Sequence, residues 1–236
     1  MPDPFTIVAL TYLTKGITKP VAEELGNLVA DPVKSWRANN LIKILEKADG
    51  KLSLNEKGHI TINPKILIKI ADIGSLESEP ELQEMWAGLI ASSSTGDEGI
   101  LYVDILSGLS KGQAKILQMA CEDAEVLTSK TTGLLYSKQY IYYKTKSIQR
   151  LYSTNDIHIL DQALDDLRRK GLIEGGFDIA NKDNTEFSLV PTPLGLHFFA
   201  RVSGYSNSLE FFNTSSDDEI NNNATLEVTK DTTDNA

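Results

Sequence analysis

The chain is short of the residues that most chemistry needs. Cys121 is the single cysteine in 236 residues. One thiol excludes a disulfide framework and a thiolate metal site within one chain, and points to a reducing compartment. Within AKILQMACEDA it reads as a small buried hydrophobe on a helix, with no histidine or cation beside it to activate a thiolate. The three histidines, His59, His158 and His197, are widely separated, and none has a second ligand at helical spacing, so no metal site is expected. GxGxxG, GxxxxGK[ST] and GxSxG are all missing, which leaves no recognisable phosphate cradle or nucleophile elbow; Ser92, Ser93 and Ser94 read as a polar helix end. Neither a catalytic constellation nor a cofactor site emerges, so the expectation is a non-enzymatic protein with no cofactor.

Long apolar runs are lacking too. No stretch approaches the roughly 18 residues of a membrane-spanning helix, and the start has neither the basic region nor the apolar core of a secretory signal. A cytoplasmic protein without membrane partners is expected. Basic excess is likewise missing: the net charge is −10, and residues 206–236 hold seven acids against Lys230 alone. A chain of this balance has no global attraction for phosphate backbones, so nucleic-acid binding would need a local basic patch.

What is present is mostly helical patterning. In ESEPELQEMWAGLIASSS, Ser78 as cap, Pro80 in the first turn and Glu81 predict a capping box, and Leu82, Met85, Trp86, Leu89 and Ile90 form one apolar stripe. Upstream, helical periodicity runs from Thr18 to about Ala48, restarting at Asp31-Pro32, with Val33, Trp36, Leu41, Ile44, Leu45 and Ala48 as its buried stripe. Asp49-Gly50 and Lys57-Gly58 predict turns, HITI at 59–62 a short strand, and Pro64 opens the apolar helix KILIKIADI. After the break at TGDEG, Ser110 and Gln113 predict a second capping box ahead of KGQAKILQMACEDA.

A helix over Asp156 to Lys170, closed by Gly171, precedes two strands, LIEGGF at 172–177 and TEFSLV at 185–190, and Thr192-Pro193 starts a last helix. This order is that of a winged helix-turn-helix. The expected organisation is mainly α with a small β-wing. It comprises an N-terminal extension (1–17), a helical domain (18–106), a winged-helix-like domain (107–204) with a tyrosine-rich insertion (130–153), and an acidic tail (205–236). In the tail only Leu209, Phe211 and Phe212 are able to dock; the rest is too polar to offset ordering entropy, which predicts disorder.

Two segments compete for function. The helix before the wing carries Asp156, Asp161, Asp165 and Asp166, which would oppose DNA phosphates in a major groove, so a scaffold or protein-contact role suits it better. YSKQYIYYKTKSIQRLY, 136–152, holds five of the eight tyrosines and four cations with no acid. Lys138, Tyr140, Tyr142, Tyr143, Lys144, Lys146 and Arg150 form the candidate interaction surface. Such a segment packs as a hairpin on the helices, grips a protein, or stacks along single-stranded nucleic acid, the last with Lys182 of the wing in support.

The chain resembles the bacterial Abi-alpha family, named for abortive infection, over about residues 15–204. The features that carry the resemblance are Asn40-Leu41 within RANNLIKILEKA, the WAGLIAS helix, LSKGQAKIL at 109–117, and the GLIE to TPLG pattern. The resemblance implies a cytosolic bacterial protein of phage defence that arrests or kills the infected cell; the leading expectation for its mode of action is contact with a protein partner, phage-derived in the simplest reading. It carries over no catalytic residue. A nucleic-acid-binding regulator is the alternative.

Overall fold

In the computed structural model, residues 32–54, 64–93, 99–177 and 186–213 are described. The N-terminal extension, the strand expected at 59–62, the wing loop with Lys182, and the tail beyond Asn213 lie outside them. The described residues are mainly helical with two small antiparallel sheets. They form two compact units. The first takes residues up to Ala114 together with Phe198–Ser206; the second takes Lys115–His197 and the residues from Asn207.

The first unit is built on helices α1 (Pro32–Leu54), α2 (Pro64–Ile73), α3 (Pro80–Ser92) and α4 (Gly99–Ser107). Leu41, Ile44, Leu45 and Ala48 of α1 are buried as their spacing predicts. Trp36 is not: it is 43% exposed, on the side of α1 away from that stripe. The turn expected at Asp49-Gly50 is also absent, because α1 continues through Gly50 to Leu54. A lone glycine weakens a helix by about 1 kcal/mol without ending it when packing holds both sides. α1 packs along α3. Its polar residues tie it to the short 3-10 turn Gly74–Leu76: buried Asn40 donates from Nδ2 to the Ser75 carbonyl (3.2 Å), and Arg37 donates from Nε to Ser75 Oγ (2.9 Å). These bonds account for a buried Asn and a half-buried Arg on a helix otherwise facing a core.

α3 buries its predicted stripe and nearly everything else: Gln83, Ala87, Gly88, Ala91 and Ser92 are buried too. Its start differs from expectation. Glu79 is the N-cap and makes no side-chain capping bond; Glu81 instead pairs with Lys111 (3.3 Å), as does Glu79 (2.8 Å). Pro80 keeps its predicted place in the first turn. Gly88 faces the backbone of Val202, so closely that a Cβ there would lie 1.7 Å from the Val202 carbonyl oxygen. At that site Arg201 is buried beneath Tyr102, its guanidinium 5.7 Å from the ring centroid. Nη1 donates to the Ser206 carbonyl (3.3 Å), while Nε and Nη2 have no partner among the described residues.

The second unit follows α5 (Lys111–Glu122), which straddles the division and starts with the predicted capping box: Gln113 N–H donates to Ser110 Oγ (3.3 Å), and Ser110 N–H to Gln113 Oε1 (2.9 Å). A hairpin, β1 (Val126–Thr128) with β2 (Leu135–Ser137), leads to β3 (Ile141–Lys144), α6 (Thr145–Tyr152) and α7 (Ile157–Arg169). Strands β4 (Ile173–Phe177) and β5 (Glu186–Pro191) then complete a three-stranded antiparallel sheet in the order β3-β5-β4. Register sets its faces. Ile141 pairs with Leu189, Tyr143 with Phe187 and Ile173 with Pro191, which turns these apolar side chains to one side; Tyr142 and Lys144 alternate to the other, opposite Ser188 and Glu186.

α7 begins near the expected place, with Asp156 as a cap that the sequence pattern did not single out, its Oδ1 accepting from His158 N–H (2.9 Å), and ends as expected at Gly171 with φ +71°. α8 (Pro193–Ser203) is capped by Thr192, whose Oγ1 accepts from Gly195 N–H (2.9 Å). The opening of the acidic tail forms a short helix, α9 (Ser208–Phe212), in which Phe211 and Phe212 meet edge to face at 4.8 Å.

Candidate functional site

The tyrosine-rich segment is not one continuous arm. It divides among the end of β2, the edge strand β3 and helix α6. The reason is the alternation of its apolar residues, period two over Ile141–Tyr143 and then helical from Thr145, where only Thr145 and Ile148 are buried.

This division separates the candidate residues. Tyr143 is a core residue: it is buried, stacked on Phe187 at 5.5 Å, and its hydroxyl donates to Asp123 Oδ2 (3.0 Å). Burial above all, with the Asp123 hydrogen bond and charge, holds its phenol protonated far beyond the usual range. Lys138 is paired with Glu125 (2.7 Å), and the Tyr140 hydroxyl reaches Glu174 (3.4 Å). Tyr142 remains, 76% exposed on the edge strand, with Lys144 two residues on.

Lys146 and Arg150 stand four residues apart on α6, hence on one helical face. Lys144, Lys146 and Arg150 are exposed and make no ion pair among the described residues. Their isolation is unusual in this chain. Arg37, Lys47, Lys51, Lys69 and Lys111 in the first unit, and Arg168, Arg169 and Lys170 in the second, all have carboxylate partners. Those last three cations also change the carboxylate face expected on α7, because Asp165 pairs with Arg168, and Asp166 with Arg169 and Lys170.

Lys146 and Arg150 also line a shallow pocket of about 410 Å³ with Gln149, Ser153, Thr154 and Asn155. The last three residues occupy the turn between α6 and α7, where Ser153 takes a left-handed conformation at φ +51°. Sequence reasoning ended its site at Tyr152. The signal beyond it was the polar run Ser-Thr-Asn directly after a basic helix.

Cys121 is buried, its thiol 3.9 Å from the Gly195 carbonyl and pushed up well above its ordinary pKa, chiefly by burial. His197 Nδ1 lies 2.8 Å from Ser208 Oγ, and His158 is exposed on α7. Among the described residues, no helix is long and apolar enough to cross a membrane.

The fold and this surface define a mainly helical protein with small antiparallel sheets, an exposed tyrosine on a sheet edge, and three cations close in sequence that make no ion pair among the described residues. Its family is narrower than that class: the model of the family described as abortive infection alpha matches residues 37–202, and the chain belongs to it. No curated protein and no solved structure matches the chain. The residues that carried the resemblance are structural. Leu82, Trp86, Ala87 and Leu89 are core, Asn40 ties α1 to the 3-10 turn, and Glu81 binds Lys111.

Proposed function

We propose that this protein is a non-enzymatic, cytoplasmic phage-defence protein of the abortive-infection kind, whose second unit is a winged-helix module used for protein contact. The module assignment is supported by the element order helix, strand, helix, helix, strand, strand, with the last strand central in the sheet, and with β1-β2 inserted after the first helix. The observation that carries the protein-contact reading is α7. In a DNA-reading winged helix, the third helix enters the major groove. Here that helix exposes Ile159, Asp161 and Gln162, a face with a carboxylate and an apolar side chain and no cation, while Asp165 and Asp166 are held by Arg168, Arg169 and Lys170. The contact surface is the β3 edge, Tyr140, Tyr142 and Lys144, where an exposed aromatic side chain and an edge strand suit a protein partner.

The reading is tested by challenging a sensitive bacterial host, with and without the gene, with a phage panel at low and high multiplicity. Protection at low multiplicity with culture collapse at high is expected, and lost when Tyr142 and Lys144 are replaced by serine in a protein of unchanged Tm. A soluble, expressed protein that protects against no phage, or a double variant that protects fully, overturns it.

The alternative, a nucleic-acid-binding regulator, is favoured by one observation, the three unpaired cations Lys144, Lys146 and Arg150. It requires binding that weakens steeply with salt and is lost when these become glutamate.

A further inference from the structure

We propose that the pocket formed by α6 and the turn that follows it is a binding site for a small phosphate-bearing molecule of about mononucleotide size. Its lining is one-sided in charge and in hydrogen-bonding capacity. Lys146 and Arg150 supply two cations from one helical face; Gln149 and Asn155 supply amides; Ser153 and Thr154 supply hydroxyls. All six side chains are able to donate, and no carboxylate lines the pocket among the described residues. A phosphate oxyanion takes several donors at once, and its hydrogen bonds to Arg and Lys are of the strong, charge-assisted kind.

The second observation is the pairing pattern. In an acidic chain whose other cations mostly hold carboxylates, Lys146 and Arg150 make no ion pair among the described residues, although Asp156 is next in sequence to the pocket. Asp156 is occupied elsewhere: its Oδ1 accepts from His158 N–H at 2.9 Å and caps α7. Thr154 Oγ1 accepts from Asp156 N–H (3.1 Å), which leaves its own proton free to donate. The two charges are therefore held beside a concavity with no counter-ion among the described residues.

Size and surroundings choose among phosphate carriers. A volume of about 410 Å³ lies within the range of small-molecule sites. A duplex passing the same pocket would bring further phosphates towards the exposed Asp161 of α7, whereas one isolated phosphate engages Lys146 and Arg150 alone.

The site is independent of the phage-defence reading and is tested on the purified full chain. Titration calorimetry with adenosine monophosphate and with inorganic pyrophosphate is expected to show saturable one-to-one binding. Lys146→Ala and Arg150→Ala each weaken it about tenfold, since each removes one charge-assisted contact. Both positions are exposed, so Tm is unchanged, and Lys43→Ala, on exposed α1 surface, binds as the parent does. No binding to the parent overturns the proposal, as does binding that survives both substitutions. Binding of a sixteen-base-pair duplex through Lys146 and Arg150, with neither small phosphate bound, also overturns it and favours the nucleic-acid alternative.

Discussion

Replacing Gly88 with alanine tests whether backbone approach, rather than helix propensity, governs α3. In an isolated helix, Gly→Ala stabilises by about 1 kcal/mol. At Gly88 the added Cβ would sit 1.7 Å from the Val202 carbonyl oxygen, 2.4 Å from its carbon and 3.0 Å from Gly204 N. All three are backbone atoms, so no side chain is able to turn aside. Reaching ordinary contact near 3.5 Å requires a displacement of roughly 1.5 Å or more. Displacement of that size pulls apart a face on which Trp86, Leu89, Ile90 and Ala91 are almost wholly buried. Overpacking a core costs about 1–3 kcal/mol, and more where backbone must move. The net expectation is a loss of about 2–4 kcal/mol, despite the propensity gain.

Gly50 is the internal control. It lies within α1, and a Cβ there meets nothing within 4 Å, so Gly50→Ala should stabilise by about 0.5–1 kcal/mol. Thermal and urea unfolding followed by circular dichroism would measure both, at about 2–4 °C per kcal/mol for a protein of this size. Gly88→Ala as stable as the parent would refute the close approach; Gly50→Ala less stable would refute the uninterrupted α1.

Other expectations follow from single contacts. Burial alone raises the Glu84 carboxyl pKa, but the Lys47 hydrogen bond and charge, with Lys51, outweigh it and hold the pKa below the ordinary 4.5. The folded pKa is thus the lower one, and the contribution is present above pH 4.5 and lost as pH falls through the folded value. Glu84→Gln should therefore be less stable than the parent at pH 7, with the gap closing below pH 4.5; a gap that does not change with pH counts against the pairing. Cys121 should react with a disulfide reagent only on unfolding, and rapid labelling of the native protein would contradict its burial. Ser110→Ala should destabilise by about 1 kcal/mol through loss of its cap, while Ser78→Ala should not, because Glu79 is the N-cap of α3; equal effects would restore the capping box at Ser78. Arg201→Met should leave thermal stability unchanged or raise it, since two buried nitrogens lack partners among the described residues; a marked fall in Tm would show that the cation over Tyr102 is itself stabilising.

Local chemistry was readable wherever a residue acts on its own few neighbours. The Ser110-Gln113 box, the Thr192 cap, the left-handed Gly171 and the stripe on α3 follow from spacing, because each closes within about one helical turn, whereas the box expected at Ser78 does not form. Gly50 was misread for the same reason in reverse: its turn preference is local, and packing of α1 along α3 overrides it. The tyrosine-rich segment was visible as basic and aromatic, yet composition does not separate Tyr143, stacked on Phe187 across the sheet, from Tyr142, facing away one residue earlier. Strand register makes that choice, and register depends on β5, more than forty residues downstream.

The sequence alone therefore determined the helical class, the family, the caps at Ser110, Gly171 and Thr192 and the chemical character of the candidate surface, since all are written in neighbouring residues. Tertiary structure alone decided which cations have acidic partners, that Lys146 and Arg150 border a pocket with the α6–α7 turn, and that Gly88 meets the backbone of Val202. These depend on distances between residues far apart in the chain or across a turn, and no periodicity encodes such distances.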